Sequence, residues 1–169
     1  MLEIKTKSPT ETQKTAALLV KKILKMQPRS SALVLALEGN LGSGKTTFVQ
    51  GLARALGVKE NVLSPTFVLM KIYQISPKHA PHRTIGSGAG PKAQNPKLRH
   101  LIHIDCYRLN SPKDLLHLGL KNLLKDRDAI IPIEWANHVR KLIPKSALWI
   151  KFKHGRNLHE RILKTNLHE

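Results

Sequence analysis

The chain has 169 residues, 41% of them hydrophobic, which is enough to bury a sizeable core within a single domain. Its formal charge is +18, from 29 Lys and Arg against 11 Asp and Glu, so a polyanionic partner such as nucleic acid fits it, although a generally basic proteome would give the same balance. A lone Cys106 excludes an internal disulfide, and with no leader-like start and no apolar run of membrane length the protein is expected to be cytoplasmic, with no membrane partner.

Thr10 and Gln13 have the spacing of a capping box, which predicts a helix carrying Ala16, Leu19, Val20, Ile23 and Leu24 at helical intervals. Leu33, Val34, Leu35, Ala36 and Leu37 then form a short continuous apolar run, the pattern of a strand buried on both faces. Directly after it, Gly39, Asn40, Leu41, Gly42, Ser43, Gly44, Lys45 and Thr46 spell G-x-x-x-x-G-K-T, followed by Thr47. Glycines let such a loop turn tightly enough to aim successive N–H groups at a triphosphate, and the helix that begins there adds its positive end. In this motif Lys45 reaches the β and γ phosphates and the Thr46 hydroxyl ligates Mg²⁺. A glycine-rich turn matching by chance is the alternative, and the order of strand, loop and helix argues against it. The following helix is marked by Phe48, Val49, Leu52, Ala53 and Leu56, with Gly57 at its C-terminal cap.

Further strands are predicted at Thr66 to Gln74, Leu101 to Tyr107, Ala129 to Glu134 and Ala147 to Phe152. Pro112 starts a helix that carries Leu115, Leu116, Leu120, Leu123 and Leu124. From Ser76 to Asn95 the chain is rich in Pro, Gly, Lys and His, has no acidic residue, and holds Ile85 as its only large aliphatic side chain. Such a stretch predicts a flexible basic loop, an insertion at about 76–97. Its His79 and His82, with His100 beyond it, lack the spacing and the Cys partners of a structural zinc site. The alternation of elements predicts one α/β domain over residues 1–169. Its expected form is a three-layer P-loop NTPase-like fold, a central mixed, largely parallel sheet flanked by helices.

A P-loop needs an acidic group to hold Mg²⁺ opposite the threonine and another group to orient the attacking water or hydroxyl. Asp105 and Glu134 qualify, because Asp105 lies near the end of one predicted strand and Glu134 ends another, and carboxyl ends of strands face the ligand crevice in open α/β sheets. Either acid could instead cap a turn or pair with Arg108 or Arg140.

These residues, together with Ser64-Pro65-Thr66-Phe67, His103-Ile104-Asp105-Cys106-Tyr107-Arg108-Leu109, Leu118-Gly119-Leu120 and Ile133-Glu134-Trp135, resemble the TsaE family, also called YjeE. The match runs in order from the first helix to about residue 156. The resemblance implies an ATPase of bacterial tRNA threonylcarbamoyladenosine biosynthesis that acts with TsaB and TsaD partners, with tRNA at least indirectly engaged, and that does not itself transfer the threonylcarbamoyl group. It also implies that Lys45 and the loop backbone bind the phosphates of ATP, that Thr46 and Glu134 hold Mg²⁺, and that Asp105 serves hydrolysis by orienting water. Ser64 and Thr66 lie in a segment similar to a nucleotide-sensing switch, stiffened by Pro65, and Trp135 is either a packing residue or a partner contact.

Two features depart from the family. The basic Ser76 to Asn95 stretch stands where the family has a short turn, and is either an idle insertion or an added RNA contact. Cys106 replaces a larger aliphatic residue, and is expected to act as a small buried hydrophobe rather than a catalytic thiol. Outside the family, a small-molecule P-loop kinase would need an arginine-bearing lid, and the long loop offers one Arg and no motif. A basic non-enzymatic nucleic-acid-binding module would explain the charge and leave the P-loop and both acids without a role.

Overall fold

A computed structural model of the chain describes residues 2–26, 30–76, 98–109 and 111–167. The basic stretch predicted at about 76–97 falls outside these apart from Ser76, and so do His79 and His82.

The sheet is organised by β2 (Leu33–Gly39), in which Leu33, Leu35 and Leu37 enter one core while Val34 and Ala36 enter the other. A period of two in an all-apolar run therefore buries both faces. On one side β2 pairs in parallel with β5 (Ala129–Glu134), which pairs in parallel with β4 (His100–Asp105). On its other side it pairs in parallel with β6 (Leu148–His154). Antiparallel strands complete the margins: β1 (Leu2–Thr6) and β7 (Arg161–Thr165) beyond β6, and β3 (Met70–Gln74) beyond β4. The resulting seven-stranded order is β1-β7-β6-β2-β5-β4-β3.

Two long helices, α1 (Pro9–Met26) and α2 (Lys45–Ala55), cover one face through Leu19, Val20, Phe48 and Leu52. They approach so closely that a Cβ on Gly51 would collide with the Gln13 main chain. The opposite face is covered by α3 (Pro112–His117), α4 (Leu120–Leu123) and a 3-10 helix, Ala136–Leu142, through Leu115, Leu120 and Val139. The layers are those of a three-layer α/β fold, with parallel strands at the centre and antiparallel ones at the margins.

Several boundaries differ from the sequence pattern, each for a local reason. The cap of α1 is Ser8, whose hydroxyl accepts from the Glu11 N–H at 3.1 Å; Gln13 turns instead toward Gln50 and Arg54. The strand expected from Thr66 begins only at Met70, because Pro65 to Val68 form a turn and Leu69 takes φ 62. Its partner strand stops at Asp105, where the carboxylate accepts from the Tyr107 N–H at 2.9 Å and closes a local turn. The single leucine-rich helix is two, since Gly119 adopts φ 82 between α3 and α4. The strand expected at Ala147 to Phe152 runs from Leu148 to His154. Strands β1 and β7 were not expected at all: they are short, and Glu3, Lys5, Arg161 and Lys164 interrupt their apolar positions.

Candidate functional site

The loop between β2 and α2 forms the floor of a cleft of about 300 Å³. Gly39 is required there by space, since a Cβ would lie 2.6 Å from the Phe152 carbonyl oxygen and 2.8 Å from Ser43 Oγ. Gly42 and Gly44 have φ 71 and 97, the left-handed region that turns the chain back into α2. Lys45 begins α2, and its Nζ donates to the carbonyls of Gly39 at 2.7 Å and Asn40 at 2.9 Å, so the ammonium is folded back across the loop. Burial lowers its pKa below the ordinary lysine range, while the carboxylates of Glu134 and Asp105 oppose that shift. Leu41 is exposed at the loop's tip, Thr47 lines the cleft from α2, and the buried Ser43 Oγ has no partner among the described residues.

The parallel register sets Asp105 beside Glu134 at the carboxyl ends of β4 and β5, both almost fully buried. The Thr46 hydroxyl donates to the Glu134 carboxylate, 2.8 Å from Oε1 and 3.0 Å from Oε2. Thus two oxygen donors of the kind a hard cation prefers meet beside the phosphate loop. No cluster of three or more His, Cys, Asp or Glu side chains suited to a metal exists among the described residues. The pair therefore fits Mg²⁺ of the sort completed by phosphate and water oxygens, as opposed to a cage made wholly of protein.

Glu134 has a second partner that the sequence reading did not single out. His103, fully buried on β4, places Nε2 2.9 Å from Glu134 Oε1. Strand alternation supplied the signal, because residues 103 and 105 must share a face of β4. Contacts with Arg108 or Arg140 do not form: Arg140 pairs with Glu38 at 3.0 Å and Arg108 stacks over Phe67.

Asp105 is tied to the Ser64 to Leu69 turn. Its Oδ2 accepts from the hydroxyls of Ser64 and Thr66, each at 2.6 Å, and its Oδ1 from the Tyr107 N–H. Of about four lone-pair positions on a carboxylate, three are taken. The turn ends in a strained bend at Leu69, where the Met70 N–H donates to the Val68 carbonyl at 2.7 Å, and it leaves Phe67 and Val68 exposed.

Trp135 follows Glu134 with φ 56, unusual for a bulky residue, and its ring lies between Tyr107 and His138. The Lys45 ammonium stands 4.3 Å from its ring centroid. It therefore packs and lines the cleft at once. Cys106 is buried behind Asp105, and its thiol is pushed up to about 12, chiefly by burial and then by the Asp105 charge.

The opposite wall of the cleft went unforeseen. It contains Pro9 and Thr12 in the first turns of α1, His159 just before β7, and Arg161 at the start of β7. His154 Nε2 lies 3.2 Å from the Leu41 carbonyl oxygen, and Arg161 Nε donates to the Gly42 carbonyl at 3.2 Å.

A parallel strand, a G-x-x-x-x-G-K-T loop and a helix in sequence, with a strand-end acid on the loop threonine, define a P-loop protein. Residues 6–163 match a family model described as "Threonylcarbamoyl adenosine biosynthesis protein TsaE", and the chain belongs to that family. It is 30% identical over 139 residues to the tRNA threonylcarbamoyladenosine biosynthesis protein TsaE of Haemophilus influenzae, covering 80% of this chain and 73% of that one. With the protein of the same name from Bacillus subtilis it shares 32% identity over 120 residues, 71% of this chain and 61% of that one. The crystal structure of Bacillus subtilis YdiB is similar with a TM-score of 0.64 and 28% identity, covering 96% of this chain and 82% of that one.

Proposed function

We propose that this chain binds ATP with Mg²⁺ at its phosphate loop and hydrolyses it, as the ATPase subunit of the tRNA N6-threonylcarbamoyladenosine machinery, acting with TsaB- and TsaD-like partners. The observation that carries the reading is the bond between Thr46 on the loop helix and buried Glu134 on the neighbouring strand, 2.8 Å long, in a chain that belongs to the TsaE family. Bound Mg²⁺ would neutralise charge on the β and γ phosphates.

The protein's own groups then divide the work. The backbone of Gly39 to Thr47 and the Lys45 ammonium bind the phosphates, for which Lys45 need only exchange carbonyl partners for phosphate oxygens. Thr46 and Glu134 would present oxygens to the metal, and His103 holds the Glu134 carboxylate in place. Asp105 orients the attacking water through the lone pair left by Ser64, Thr66 and Tyr107, so movement of the switch turn would free or occupy the catalytic carboxylate. Transfer of the threonylcarbamoyl group falls to the partners.

Product analysis tests the proposal. The chain, mixed with TsaB- and TsaD-like proteins, should release inorganic phosphate from ATP and co-purify with those proteins. A phosphorylated metabolite would make it a kinase, and nucleic-acid binding with neither product would make it a binding module.

A further inference from the structure

Arg161 is a cation in the cleft wall that none of these steps uses. Its side chain lies along the outer edge of the phosphate loop, where a Cβ on Gly44 would stand 3.7 Å from the arginine Cγ. Nε donates to the Gly42 carbonyl at 3.2 Å, and Nη1 donates to the carbonyls of Leu158 and Glu160, both at 2.8 Å. Three carbonyls thus fix the plane of the guanidinium. Its Nη2 has no acceptor, and the group pairs with no carboxylate, among the described residues. A half-buried guanidinium held in orientation, with its Nη2 edge unpaired among the described residues, is preorganised for a planar or polar ligand.

The sheet order says which part of a nucleotide reaches it. The acids come from β5 and β4 on one side of β2, whereas Arg161 comes from β7, beyond β6 on the other. The Thr46 contact with Glu134 would set the metal and the β and γ phosphates toward β5. Gly42 to Thr47 line the cleft and would supply the donors for the phosphate chain itself, Thr47 from within α2. The cleft lining also includes Pro9, Thr12, His159 and Arg161, which are left for the part of the ligand beyond the phosphates.

We propose that Arg161 is a nucleoside-contacting residue, whose guanidinium plane packs against the base of the bound nucleotide and whose free Nη2 edge meets the base or ribose. The inference rests on the ATP-site reading above. Arginine suits the task because its planar group stacks on aromatic faces, which a lysine cannot do.

The test is calorimetric binding of ATP, ADP and inorganic tripolyphosphate, all with Mg²⁺, to the full chain and to its Arg161→Ala, Arg161→Lys and Lys45→Ala variants. Arg161→Ala should weaken ATP and ADP alike by about fivefold to tenfold and leave tripolyphosphate within about twofold. Arg161→Lys should lose as much as Arg161→Ala, because charge without the plane does not stack. An unchanged ATP affinity in Arg161→Ala would overturn the proposal. So would an equal loss for tripolyphosphate, which would mean that Arg161 serves the phosphates or merely steadies Gly42, and so would full recovery by lysine. If the unaltered chain bound no ATP, or Lys45→Ala bound it normally, the ATP-site reading would fail and this proposal with it.

Discussion

On the β5 and β4 side of the phosphate loop, Glu134, Asp105 and His103 are buried, with Glu134 bonded to Thr46 and His103, and Asp105 bonded to Ser64 and Thr66, by short hydrogen bonds. On the β6 and β7 side, His154 and His159 are exposed and Arg161 is half-buried, and the bonds run to loop carbonyls at 2.8 to 3.2 Å. The contrast follows from chemistry. On the function proposed above, groups that would hold a metal and a water must be fixed before the ligand arrives, which takes strand ends, burial and neighbours that fill their lone pairs. A surface that receives the rest of a ligand needs only shape and a few oriented donors.

Breaking the shared floor of both sides should have the largest effect. Lys45→Ala removes the ammonium that folds over the loop, and ATP hydrolysis should fall by at least roughly a hundredfold while circular dichroism stays native. Near-normal phosphate release from the folded variant would remove the loop from the chemistry.

The acid side is then separable into its parts. Asp105→Asn should keep ATP and Mg²⁺ binding but lose hydrolysis by about a hundredfold or more in single-turnover assays. Glu134→Ala should instead raise the Mg²⁺ concentration for half-maximal nucleotide binding by about tenfold or more, since Thr46 loses its partner. If the two variants exchanged these phenotypes, the acids would exchange roles.

The smallest effect tests how tightly the acid side is closed. With the Cys106 thiol pushed up to about 12, burial being the main cause, the neutral form persists through the physiological range and only strongly alkaline solution ionises it. At pH 8 its thiolate fraction is about one in ten thousand, against roughly a quarter for a free thiol. Iodoacetamide should leave the native protein unlabelled for hours and modify it promptly in denaturant. Rapid labelling of the native chain would show that the β4 end opens to solvent.

The sequence carried more of one side than of the other. Phosphate loop, β2, α2, β5 and both acids were readable because local chemistry and position coincide there: a fixed motif follows an apolar run, and an acid ends another. Tertiary contacts override local preference elsewhere. Thr66 and Phe67 have strand propensities, yet the Thr66 hydroxyl is drawn to Asp105, far off in sequence, and the strand starts later. Nothing local marks Arg161 as a cleft residue, because it reaches the loop only once β7 has paired with β6 and β1. His103 was hidden differently: its motif was seen, but its bond to Glu134 depends on the pairing of β4 with β5.

The division of the cleft is most directly tested by a crystal structure of the chain with a non-hydrolysable ATP analogue and Mn²⁺, the metal located by its anomalous scattering. The account predicts the metal peak beside the Thr46 hydroxyl on the side facing Glu134, with the nucleoside on the side of His159 and Arg161. A metal peak away from Thr46 and Glu134, or a nucleoside seated over Asp105 and the switch turn, would contradict it.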